Sequence, residues 1–102
     1  MGADLLKTSR IIDLFEIYGD LLAEKQKNYI KSYYLYDLSL SEIAEENGIS
    51  RASVLDTLNQ ANKKLEEYEN TLHLLVKREK IKEILNSKLK KEEILKELEG
   101  IL

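Results

Sequence analysis

A chain of 102 residues with no cysteine, no proline and a formal charge of −3 has room for one small domain, without disulfides, iron–sulfur clusters or thiol chemistry. Its apolar share of 43% permits a core without metal staples, and its charged share of 34% favours long solvent-flanked helices over a sheet. It lacks both a run of about 18 apolar residues and a basic-then-apolar secretory start, so a cytoplasmic protein that does not insert into a membrane is expected.

The first helix is expected over 5–22, with Ile11, Leu14, Phe15, Tyr18, Leu21 and Leu22 at helical intervals facing the core. Gly19 lies inside it at a cost of about 1 kcal/mol against alanine, which calls for the close approach of another backbone or for a kink. The second helix runs from Glu24 to Tyr36 with Tyr29, Ile30, Tyr33 and Tyr34 at helical spacing. Those tyrosines suit a half-buried core edge with hydroxyls reaching water; exposed beside a positive groove, they would stack on bases. Asp37 to Ser39 begin the next turn.

Residues 40–65 have the spacing of two helices crossing tightly over a three-residue turn, a helix-turn-helix. Ser41 is positioned to cap the first of the pair, Ile43 is its inward anchor, and Ala44 is small where the second helix passes close. Gly48 stands where the first helix must stop, a position that often takes positive φ. Ile49 plugs the turn, Ser50 caps the second helix, and Val54, Leu58, Ala61 and Leu65 give that helix one buried face. In DNA-binding members of this motif class the second helix enters the major groove, so Ser50, Arg51, Ala52, Ser53, Asp56, Thr57, Asn59 and Gln60 are candidate contacts. Arg51 is the only cation from 50 to 60. Because phosphate neutralisation drives non-specific affinity, a module used for protein contacts stays open beside nucleic-acid binding.

Beyond Leu65 the stripe extends through Tyr68, Leu72, Leu75 and Val76, so one helix is expected to continue into an arm. Its register slips near Lys77 to Lys80, where a bend or a fresh helix should begin. The shifted set Ile81, Ile84, Leu85 and Leu89, followed by Ile94, Leu95, Leu98, Ile101 and Leu102, makes an apolar stripe. That stripe implies a homodimer through residues 66–98 or a partner helix, unless the tail folds back on helix one. The organisation expected is a helix-turn-helix domain over 1–76 and a helical arm over 77–102, packing on the same domain or on a partner.

The first 50 residues hold 5 cations and 9 anions, the remainder 11 and 10. Lys77, Arg78, Lys80, Lys82, Lys88, Lys90 and Lys91 against Glu79 and Glu83 make 77–91 a patch of +5. It is either a solvated helix face or an assisting contact for phosphates or anionic headgroups, through Lys77, Arg78 and Lys80. Chemistry for catalysis is lacking. His73 is the sole histidine, and glycines at 2, 19, 48 and 100 are too sparse for a nucleotide loop. Glu42, Glu45 and Glu46 are ordinary early-turn acids. The expectation is a binding protein, not an enzyme, with no cofactor and no metal.

The order RIIDLFEIYGDLLAEKQKNYIKSYYLYDLSLSEIAEENGISRASVLDTLNQANKKLEEYENTLHL resembles the YlxM-like family of small bacterial helix-turn-helix proteins over roughly residues 8–76. The distinctive pieces are LFEIYGDLL, the EKQ start of helix two, YDLSLSEIAEE, GISRASV, Asp56 and the closing LEEYE. The resemblance implies an all-α fold like region four of sigma factors, with two helices before the motif and an extended C-terminal helical arm. It also implies a regulatory role linked to the signal recognition particle pathway, with DNA, the particle's RNA or its proteins, the targeting GTPase among them, as partners. Ser50, Arg51, Val54 and Asp56 match the family's second helix. Thr57, Asn59, Gln60 and Asn62 stand where charged or basic residues often occur, and Ala23 where a threonine commonly caps helix two.

Overall fold

The structure, a computed structural model, describes residues 2–87 and 90–101. Lys88 of the basic patch and Leu89 and Leu102 of the apolar stripe lie outside the described residues. Six α-helices follow in order: α1 (Gly2–Tyr18), α2 (Glu24–Ile30), α3 (Leu40–Asn47), α4 (Arg51–Leu72), α5 (Leu74–Leu85) and α6 (Lys91–Ile101), with no strand among the described residues. The all-α expectation holds. No helix among the described residues is long and apolar enough to cross a membrane.

The core is built where α1, α2 and α3 pack around α4. Leu14, Tyr18, Ile30, Ile43, Val54, Ala61 and Leu65 are essentially inaccessible, with Ile11, Leu22, Tyr29, Ala44 and Leu58 also buried. The four apolar positions expected on α4 are therefore all inside. Helix one differs from expectation at its end. It stops at Tyr18 and tightens into a 3₁₀ turn over Gly19–Leu21, which changes the helical phase and leaves Leu21 56% exposed. No second backbone explains Gly19: a Cβ there would lie 2.8 Å from the Phe15 ring, so the glycine makes room for an aromatic one turn back in its own helix.

Helix α2 starts without a side-chain cap at Ala23, as alanine dictates, but Gln26 Oε1 reaches back to accept the Ala23 N–H at 3.3 Å. Its C-terminal extension, Lys31–Leu35, widens into a π turn closed by Tyr36 N–H donating to the Lys31 carbonyl at 2.9 Å. Asp37 then takes φ 61°, a left-handed conformation that aspartate tolerates better than most residues. The cap of α3 is Ser39, not Ser41. Ser39 Oγ accepts from Glu42 N–H and Glu42 Oε1 accepts from Ser39 N–H, both at 3.1 Å, a full capping box. Ser41 is already inside α3, which begins at Leu40, and so cannot stand at the cap position.

The α3–α4 junction follows the expected logic closely. Gly48 takes φ 63°, its N–H donates to the Glu45 carbonyl and Ile49 N–H donates to the Ala44 carbonyl at 3.1 Å. This is a Schellman ending. Two residues on, Ser50 Oγ accepts the Ser53 N–H at 3.0 Å and starts α4.

Helix α4 does not continue to Val76. It ends at Leu72, and His73 adopts φ 56°, four residues before the expected slip. The cause is Glu69, a charged residue on the apolar stripe that is only 3% exposed. Its carboxylate accepts from Tyr18 Oη at 2.6 Å, Leu75 N–H at 2.9 Å and Val76 N–H at 3.2 Å. Tyr18 Oη in turn accepts the Leu74 N–H at 3.1 Å. One carboxylate near the end of α4 thus caps the start of α5, answering orphan N–H groups that any helix start presents. Burial alone would raise the Glu69 pKa, but the hydrogen bonds from Tyr18, Leu75 and Val76 and the charge of Arg10 outweigh it and hold the carboxyl below its ordinary value. Burial and the Glu69 contact push the Tyr18 phenol up.

The arm folds back in part. Arg78 reaches Glu16 at 3.2 Å and Asp13 at 3.8 Å, which seats α5 on α1, and Leu75 is buried. Helix α6 packs on α5 yet buries none of its described side chains.

Candidate nucleic-acid interface

Burying Val54, Leu58 and Ala61 fixes the rotation of α4, because residues 100° apart on a helix cannot share one face. The first three turns consequently expose Arg51, Ala52, Ser53, Asp56, Asn59 and Gln60. Ser50 and Ser53 bond each other through their hydroxyls at 2.9 Å. Thr57, half-buried, donates its hydroxyl to the Ser53 carbonyl at 3.0 Å. Gln60 Nε2 donates to Asp56 Oδ2 at 3.1 Å, which aligns a neutral donor with a carboxylate on the outer surface. Arg51 and Asn59 are the least committed polar side chains of the set.

The candidates do not form a single cluster. Arg51 opens α4, a helix of 22 residues about 33 Å long at 1.5 Å per residue, and Lys77 lies beyond its far end. Arg78 is drawn inward by Asp13 and Glu16, Lys77 is half-buried, and Lys80 is exposed. Lys82 lies 3.9 Å from Glu79, so part of the patch is neutralised within the chain.

Lys63, one turn beyond Gln60, belongs to the same outer surface although the motif's spacing does not mark it. It is exposed, and neither it nor Arg51 forms an ion pair among the described residues. Also unforeseen is the cleft beside α4. Its walls are Arg10 of α1, Tyr33 and Tyr34 of the π turn, and Asn59, Asn62 and Lys63 of α4, enclosing about 640 Å³. Arg10 holds Glu66 with two parallel hydrogen bonds of 2.7 and 2.8 Å, and the contact raises the guanidinium pKa further. No signal in the sequence marks this cleft, since Tyr33 stands four residues after Tyr29 and three after Ile30, on the helical register of that buried pair.

The whole chain, motif and arm together, has known relatives. A family model described as "Putative helix-turn-helix protein, YlxM / p13 like", UPF0122, matches residues 5–101. A UPF0122 protein of Streptococcus gordonii is 44% identical over 97 residues, covering 92% of this chain and 88% of its own length. One from Halalkalibacterium halodurans is 52% identical over 79 residues, covering 78% and 72%. One from Streptococcus agalactiae is 51% identical over 71 residues, covering 70% of this chain and 64% of its own.

Proposed function

The chain belongs to the YlxM/p13-like UPF0122 family of helix-turn-helix proteins, and from that premise we propose that it is a cytoplasmic regulatory protein binding DNA or RNA in the signal recognition particle pathway. The observation that carries the reading is the outward presentation of Arg51, Ala52, Ser53, Asp56, Asn59 and Gln60 on the second helix of the motif. That surface is where such motifs meet base edges. Ser50 and Thr57 belong to it as positioning residues, and Lys77 and Lys80 would assist only a ligand long enough to follow α4. The pathway setting rests on the family resemblance.

Arg51 is the one cation among these surface residues of the second helix, so the electrostatic share of affinity is small. Each phosphate neutralised contributes about −0.9 to the slope of log K against log salt. Fluorescence anisotropy of labelled duplex DNA and of hairpin RNA across salt tests this. Arg51→Ala is expected to weaken binding several-fold and lower the slope by about one. Flat titrations, or binding unchanged by Arg51→Ala, reject the proposal.

A second reading is favoured by α6, whose Leu95 is 52% exposed, and by Leu85 of α5 at 58%. In it the arm mediates a homodimer or docks the targeting GTPase or another particle protein, and the chain is an adaptor. Sedimentation at high concentration that finds only monomer removes the dimer. Pull-down by the intact chain but not by Leu95→Glu supports the adaptor; equal capture by both counts against it.

A further inference from the structure

The cleft between α1, the π turn and α4 has a neighbour along the same helix. Tyr33 and Tyr34 also line a second hollow of about 460 Å³, whose other walls include Arg51, Ser39, Leu40, Asp37 and Glu42. Both hollows are lined by the same two tyrosines, so together they make one trough along the flank of α4. Tyr33 stands edge-on to Tyr34 with ring centroids 5.0 Å apart and remains 37% exposed. Tyr34 is anchored from below by Asn62 Nδ2, which donates to its hydroxyl at 3.2 Å. Asn62 Oδ1, buried in the same floor, has no hydrogen-bond partner among the described residues.

Arg51 stands at one end of the trough and Lys63 at the other, and both are cations outside any ion pair among the described residues. Twelve residues of helix separate them, about 18 Å, the length of about five nucleotides at 3.4 Å each. An aromatic platform between terminal cations, with amides along the wall, is the chemistry that holds unpaired bases by stacking while its ends touch the backbone. The trough is too balanced in charge to bind by electrostatics alone, since Asp37, Glu42 and Glu66 line it beside Arg10, Arg51 and Lys63.

The geometry points to a binding site for a short single-stranded nucleic-acid segment, stacked on Tyr33 and spanning Arg51 to Lys63, adjoining the duplex surface of α4. This rests on the nucleic-acid reading above and gives it a preference: a duplex with an unpaired extension is bound more tightly than a blunt one.

The chain contains no tryptophan, so Tyr33→Trp installs a sole indole as reporter. The probes are a blunt duplex and the same duplex with a five-nucleotide 3′ extension, each as DNA and as RNA, read by anisotropy of an end label and by the emission of that indole. The extension is expected to tighten binding about tenfold and to quench the indole. Tyr33→Ala should abolish that gain while leaving blunt-duplex affinity and the thermal melt unchanged; Tyr33→Phe should keep it. Blunt binding with no effect of the extension overturns the trough and spares the parent reading. Absence of all binding overturns both. Indole emission that shifts with protein concentration alone would mean a second copy covers the trough, and overturns the proposal too.

Discussion

The two ends of α4 are held by different physics. At its N-terminal end, Val54, Leu58 and Ala61 interlock with Ile43 and Ala44, so the motif is positioned by apolar packing that pH and salt scarcely touch. At its C-terminal end a buried carboxylate organises Tyr18 and the start of α5, and the arm beyond leans on Arg78 and its two acidic partners on α1, Asp13 and Glu16. The contrast teaches that one helix here joins a rigid presenting surface to an attachment whose hold depends on ionisation.

The sharpest way to break that contrast is to hollow out the packed end. Leu58→Ala should lose about 3 kcal/mol in denaturant unfolding, as large-to-small core changes do; a loss under about 1 kcal/mol would mean the motif is not held by packing. Next in size, Glu69→Gln should cost about 2 kcal/mol at neutral pH through mismatched buried donors. Its pH dependence is a finer test. Because the folded pKa of Glu69 is depressed, its stabilisation is complete above the ordinary carboxylate value of about 4.3 and is lost as pH falls through the lower folded value. The wild type should therefore lose stability to acid more steeply than Glu69→Gln, and amides of Leu74–Leu85 should exchange faster in the variant while those of α3 do not. Parallel acid profiles would remove the latch.

Gly48→Ala comes third. A Cβ at Gly48 meets nothing within 4 Å, so the cost is purely that of φ 63° in a residue with a side chain, about 1 kcal/mol. Smallest of all, Leu95→Ala on the half-covered α6 should shift stability by no more than about 0.5 kcal/mol, measured at low concentration. A larger effect would show that α6 is part of the core.

These differences also explain what can be read from residues alone. Gly48, Ser50 and the spacing of Val54, Leu58, Ala61 and Leu65 are legible because each acts on its own backbone or its own helix face. The break at His73 is not, since histidine is no habitual helix breaker and the partner that stabilises the new start, Tyr18, is 51 residues from Glu69. Glu69 does leave a trace, as a carboxylate four residues after Leu65 on an apolar stripe. Ser39 and Ser41 are equally good caps by residue type, and only Glu42, three residues beyond Ser39, separates them. The trough is invisible in sequence because α1, the π turn and α4 meet only in the folded chain, and Phe15 against Gly19 is likewise a matter of ring placement.

The surface of α4 is tested most directly by amide and side-chain NMR of the intact chain, titrated with duplex DNA and with hairpin RNA. Perturbations clustering on Arg51 to Gln60, with α5 and α6 unmoved, are the predicted result. Shifts confined to the arm, or none with either nucleic acid, would contradict the account.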